Sequence, residues 1–122
     1  MLLADVARVL AAGGTFAGST SQLEAFHSLS TWNYTPYGLK LLLERAGLSL
    51  EEVRPSIDAL ALIVNRGAGM RRVTRRWWAV ESPLNRVADA FGRVRGLEPR
   101  QVNAIKLLLC GQFAFLARAR RA

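Results

Sequence analysis

The residues best suited to chemistry lie in one polar stretch early in the chain. Ser19, Thr20, Gln22, Asn33 and Tyr34 bring hydroxyl and amide groups, Trp32 brings an aromatic wall, and among them stands His27, the only histidine. Histidine is the side chain whose ordinary pKa lies nearest neutrality, which is what a general base needs. His27 is therefore the candidate to take a proton from a nucleophile that the neighbouring polar groups hold. The same composition also describes a connection whose hydroxyls satisfy its own backbone, with a histidine that is merely structural. Other chemistries find no footing. One histidine and one cysteine, Cys110, far apart in sequence, give no metal ligand set. Gly18-Ser19-Thr20 lacks the second glycine of a nucleophile elbow. Glu51 and Glu52 are neighbours in what reads as a strand, where successive side chains point to opposite faces, so they form no acid–base dyad.

The elements around the polar stretch are readable. Leu3, Val6, Val9 and Leu10 recur at helical spacing and predict a helix over residues 2–10, ended by Gly13-Gly14. Residues 15–19 then read as a short strand whose small side chains let another backbone or a ligand approach closely. After the polar loop, Thr35 caps a helix with Pro36 at its first position. Leu39, Leu42, Leu43 and Ala46 form its apolar stripe, Lys40 pairs with Glu44, and Gly47 stops it with Leu48 folding back onto Leu43. Residues 49–55 alternate Leu50 and Val53 with charged residues and predict an exposed or edge strand. The loop thus follows the C-terminal end of a strand, the edge outside which α/β sheets bind ligands.

Beyond this point the pattern changes. The apolar run at residues 57–64 is read as a helix rather than a strand, because Leu60, Ala61 and Leu62 are good helix formers. Gly67-Ala68-Gly69 breaks the chain. Arg71, Arg72, Arg75 and Arg76 then gather beside Trp77 and Trp78, a mixture that binds nucleic acid or an anionic surface, or else forms a solvated arginine face with tryptophans covering the core. Leu84, Val87, Ala88 and Phe91 predict a helix over residues 83–94. Pro99 opens another through Val102, Ile105, Leu108 and Leu109. Phe113, Phe115 and Leu116 mark a last strand after Gly111. Cys110, next to three leucines, is expected to be a buried thiol.

Two motifs together carry a resemblance. Thr35-Pro-Tyr-Gly-Leu-Lys-Leu-Leu-Leu-Glu-Arg-Ala-Gly-Leu48 resembles the late helix of class I S-adenosylmethionine-dependent methyltransferases, the one that leads into the sixth strand of their seven-stranded sheet. Ala4-Asp-Val-Ala-Arg-Val-Leu10 with Gly13-Gly14 and Thr15-Phe-Ala-Gly-Ser19 resembles the helix, turn and fifth strand before it, with Ala12 where the family usually has proline. Gly111-Gln-Phe-Ala-Phe-Leu-Ala-Arg118 is similar to the closing strand. The resemblance implies an α/β fold: the C-terminal part of a Rossmann-like methyltransferase sheet, strands five, six and seven, with a helical insertion between the last two. Residues 1–56 would be the core remnant, 57–110 the insertion and 111–122 the closing strand and basic tail. It implies a substrate site at Ser19, Thr20, Gln22, Trp32, Asn33 and Tyr34 for a small-molecule methyl acceptor, with His27 as catalytic base. Nothing matches the family's cofactor-binding glycine turn or the acid after its second strand. The chain therefore reads as the C-terminal fragment of a longer enzyme, inactive alone and binding no S-adenosylmethionine by itself. A fifth strand without its neighbour would leave an edge open to self-association.

Composition sets bounds on this reading. At 51% hydrophobic residues over 122, the chain can bury a core. Its longest apolar runs are far shorter than the roughly 20 residues of a membrane span. Asp5 and Arg8 interrupt the apolar start, so no signal-peptide pattern opens the chain, and the cytoplasm is the expected compartment. Charge is unevenly placed: up to Asn65 four basic residues face six acidic ones, and from Arg66 onward thirteen face three. The second part is expected to bind polyanions weakly and with strong salt dependence. The rival functional reading is accordingly a small basic helical module for nucleic acid or an anionic surface.

Overall fold

The computed structural model describes residues 2–23, 32–67, 69, 72, 75–78 and 80–120, with Trp78 described by its backbone alone. These residues form a mixed α/β structure. In chain order it runs α1 (Leu2–Val9), β1 (Thr15–Ser21), α2 (Pro36–Arg45), β2 (Leu48–Pro55), α3 (Ala59–Gly67), a 3-10 turn (Arg75–Trp78), α4 (Pro83–Arg95), α5 (Pro99–Leu108) and β3 (Gln112–Ala119). The single sheet is antiparallel, with β3 in the middle of the order β1-β3-β2. β1 and β2 therefore run parallel to each other, which requires a crossover between them, and α2 lies on that crossover. The three expected strands do form one sheet, each somewhat longer than its sequence signal.

The caps of α2 work as their residue types dictate. The Gly38 amide donates to Thr35 Oγ1 at 3.0 Å, Pro36 occupies the first turn, and Lys40 lies 3.9 Å from Glu44. Gly47 takes φ 82°, a conformation that costs a side-chain-bearing residue, and lets Leu48 turn straight into β2. Leu39 and Leu43 are buried, whereas Leu42 turns partly to solvent. On one sheet face they meet Leu48, Phe113, Phe115, Ala117 and Ala119, and Leu3, Val6, Ala7 and Leu10 of the α1 region close the same core. Val9, expected on that face, is exposed. Phe16 meets Phe115 edge-on at 5.4 Å, and the Phe115 ring fills the space over Gly18, where an added Cβ would lie 2.8 Å from it. The small residues of β1 thus admit a core ring on this face, not a ligand.

Two sequence expectations fail for reasons the structure supplies. Leu50 and Val53 both reach the core despite their odd spacing, because a β-bulge between Leu50 and Glu52 inserts Glu51 as an extra residue. Strict alternation across Glu51 and Glu52 is lost; both are exposed, and Glu52 is engaged by Arg54. In α4 the expected face is only half right. Ala88 is buried, but Val87 and Phe91 are exposed, and the packed side is completed by Asn85 and Gly92. Asn85 holds the Ser56 carbonyl at 3.0 Å, and Gly92 sits so close to Val102 that a Cβ there would be 2.3 Å from its methyl. Polar anchoring and close approach win over hydrophobic periodicity here.

The helices after β2 are tied to the sheet through Asp58, which is fully buried. One carboxylate oxygen accepts from the Ala61 amide at 2.7 Å and caps α3; the other accepts from the Leu84 amide at 2.9 Å and caps α4. Ser82, at the N-cap of α4, does not cap its own helix but accepts from the Asp58 amide at 3.2 Å. An isolated bridge pairs Asp58 with Cys110, and the Gly111 amide donates to Ile57 at 2.8 Å. The Asp58 side chain thus fixes two helices, while backbone bonds around it fix the approach to β3.

Candidate functional site

The polar loop is anchored at both ends. The Tyr34 amide donates to the Ser21 carbonyl at 3.1 Å, and the Gln22 and Leu23 amides both donate to the Gly111 carbonyl at 2.9 and 3.2 Å. Position 34 is thereby held against the end of β1, beside the start of β3. His27 lies outside the described residues. Of the other expected site residues, Ser19 and Thr20 fall on opposite faces, as neighbours in a strand must. Thr20 pairs with Phe113 on the covered face and is half-buried; Ser19 pairs with Ala114 on the open face and is exposed. Gln22 accepts from the Cys110 thiol at 3.6 Å, and Tyr34 packs against the core. Trp32 and Asn33 are exposed at the end of the loop. The six described residues therefore divide: Ser19, Trp32 and Asn33 are accessible, while Thr20, Gln22 and Tyr34 build the scaffold beneath them.

Cys110 is buried as expected. Burial pushes its thiol up from 9.0 to about 11, against a backbone hydrogen bond that lowers it, so it stays protonated and inert at neutral pH. The Leu107 carbonyl, 3.1 Å from Sγ, is a second acceptor within reach of the same S–H.

One concavity among the described residues has no counterpart in the sequence patterns. It is a cleft of about 1540 Å3 between the open face of β2 and β3 and helices α4 and α5. Asn103 fastens α5 to it through the Val53 carbonyl at 3.0 Å. Lys106 is buried on α5 where Ile105 and Leu108 were expected to face inward, and Leu108 instead is exposed. The ammonium lies 3.0 Å from both Glu81 and Asp89. Burial opposes its charge, the two carboxylates outweigh that, and its pKa ends above the usual lysine value. Arg86, Arg93, Arg100 and Arg118 also line this cleft, and among the described residues none has a carboxylate in ion-pair range. A helical pattern of hydrophobics could not reveal Lys106, because its acidic partners stand 25 and 17 positions earlier in the chain.

In the arginine and tryptophan segment, the described arginines face solvent and one tryptophan ring packs. Arg75 and Arg76 are exposed, Arg76 lies 6.0 Å from the Trp77 ring centre, and Trp77 covers Ile57, Ala61 and Leu62. Arg71 and the Trp78 side chain lie outside the description. Among the described residues no group of histidine, cysteine and carboxylates is arranged to hold a metal ion. Gly14 is taken up by the turn from α1 into β1: its amide donates to the Ala11 carbonyl at 2.7 Å and its carbonyl accepts from the Ala119 amide at 2.9 Å. No protein-family model, no curated protein and no solved structure matches the chain.

Proposed function

We propose that the chain is the C-terminal part of a class I S-adenosylmethionine-dependent methyltransferase, supplying the acceptor-side loop to a cofactor-binding half carried elsewhere. The observation that carries this reading is the position of β3, last in sequence yet central and antiparallel between β1 and β2. In the resembled family the seventh strand stands in that way between the fifth and sixth. Supporting it, α1 and α2 share one sheet face, and among the described residues β1 has no strand on its outer side. The other face carries small exposed residues, Ala17, Ser19 and Ala114, on which further structure can pack.

Among the described residues no Gly-x-Gly-x-Gly turn follows a strand, so no step through S-adenosylmethionine is assigned to this chain. Its part is positioning, which supplies much of the acceleration when a nucleophile must be aligned behind a methyl group. Ser19, Trp32 and Asn33 would orient the acceptor, and His27 would receive its proton. The test is the reading frame upstream of Met1 and the binding it confers. An in-frame strand, Gly-x-Gly-x-Gly turn and acid-ended second strand, giving S-adenosylmethionine binding when joined to this chain, supports the proposal. An upstream frame with no such unit contradicts it. A second reading, weak polyanion binding, is favoured by the four cleft arginines that have no carboxylate in ion-pair range among the described residues; it predicts duplex affinity that falls steeply with salt and shows no sequence preference.

A further inference from the structure

Helix α4 turns its apolar side outward. Asn85, Ala88 and Gly92 are buried, whereas Val87, Phe91 and Val94 are 63%, 47% and 86% exposed. Those three positions stand four and three apart, so they form a single stripe along the helix. At 3.6 residues per turn, Arg86 and Arg93 fall together on one flank of the stripe and Arg95 on the other. Arg95 holds its guanidinium 5.6 Å from the centre of the Phe91 ring, and all three arginines are exposed. Asp89, the only acid on α4, faces away toward Lys106 at 3.0 Å and neutralises none of them. An apolar stripe fenced by cations on both sides is an interface feature, not an ordinary solvated face.

The charges decide what covers it. A second copy docked through the same stripe would bring like arginines together, in a part of the chain where thirteen basic residues face three acidic ones. A nucleic acid backbone would satisfy the arginines and leave the valines and phenylalanine without a partner. An anionic bilayer satisfies both: the stripe enters the boundary between headgroups and acyl chains, and the arginines meet lipid phosphates. We propose that α4 is a docking surface for an anionic lipid bilayer, lying in the plane of the interface. At 13 residues it is long enough to lay its three apolar side chains along the surface without crossing it. This inference does not rest on the methyltransferase reading.

The test is co-sedimentation of the whole chain with vesicles of phosphatidylcholine alone and of equimolar phosphatidylcholine and phosphatidylglycerol. Binding is expected to the anionic vesicles, to weaken with salt, and to be slight on the neutral ones. R86Q/R93Q should lower partitioning about 30-fold, from about 5-fold per arginine near an anionic surface. V87Q/V94Q should lower it about 10-fold or more by removing apolar insertion. Both pairs are exposed, so circular dichroism should show the fold unchanged; if one variant unfolds, the other and the salt titration decide. Absence of binding to anionic vesicles overturns the proposal, as does equal binding to both vesicle types. So does a dimer that V87Q/V94Q converts to monomer, or binding that V87Q/V94Q leaves untouched.

Discussion

Replacing Asp58 by alanine tests how α3 and α4 are held to the sheet. The substitution removes two acceptors at once, 2.7 Å from the Ala61 amide and 2.9 Å from the Leu84 amide, at a position with no exposure. A helix cap contributes about 1 to 2 kcal/mol, and a hydrogen bond to a charged group about 1.5 to 3 kcal/mol, so the pair amounts to about 3 to 4 kcal/mol. That is a large share of the roughly 5 to 15 kcal/mol that separates folded from unfolded domains. Asp58→Asn keeps one acceptor and turns an NH2 group toward the other amide, so it should lose about half as much. In urea, with a slope of about 2 kcal/mol per molar, Asp58→Ala should lower the midpoint by about 1.5 M. Far-UV dichroism should show the loss falling on helix rather than strand. If Asp58→Ala costs less than about 1 kcal/mol, or if Asp58→Asn is as damaging as alanine, the double cap is not what holds α3 and α4.

Three further outcomes follow from particular contacts. Gly92→Ala should destabilise by about 1 to 3 kcal/mol in the same assay, because its Cβ would meet Val102 at 2.3 Å and push α5 from α4. Lys106→Met should lose stability in a pH-dependent way. The folded pKa of Lys106 is raised, so its ion pairs stabilise fully below the ordinary value of 10.5 and are lost as pH rises through the higher folded value. The gap between Lys106→Met and the unmodified chain should be constant near neutrality and close only above pH 10.5; a gap that closes lower would contradict the assignment. Size-exclusion chromatography of the chain alone should show concentration-dependent self-association, because among the described residues no strand covers the outer edge of β1 and no lysine or proline within it guards that edge. Ala17→Lys, on the exposed side of that strand, should reduce it, and a concentration-independent monomer would count against an open edge.

Local signals carried far in this chain where one residue acts on its own neighbours. Thr35, Pro36 and Gly47 fix both ends of α2, and the chain is delivered into β2 as their types require. The placing of the last strand between the other two was legible only through a resemblance of motifs, since no periodicity states which strands pair. Illegible were the features made by partners distant in sequence. Glu51 bulges because β3 fixes the register on either side of it, and Lys106 is buried because Glu81 and Asp89 arrive from another element. Gly92 faces inward because Val102 needs its space, which is why α4 shows its apolar stripe to the outside. Of the candidate site, the accessible subset Ser19, Trp32 and Asn33 could not be told from Thr20, Gln22 and Tyr34 without knowing which face of the sheet the helices cover.

The central claim, that β1 is an inner strand awaiting a neighbour, is tested most directly by amide hydrogen exchange along Thr15–Ser21 at concentrations where the chain is monomeric. The amides bonded to β3 should be protected and the alternate ones, on the outer side, should exchange almost as freely as in an unfolded chain. Joined to a cofactor-binding half of the proposed kind, those outer amides should become as protected as their neighbours. Equal protection of all β1 amides in the isolated monomer would contradict the claim, because the edge would then already be covered.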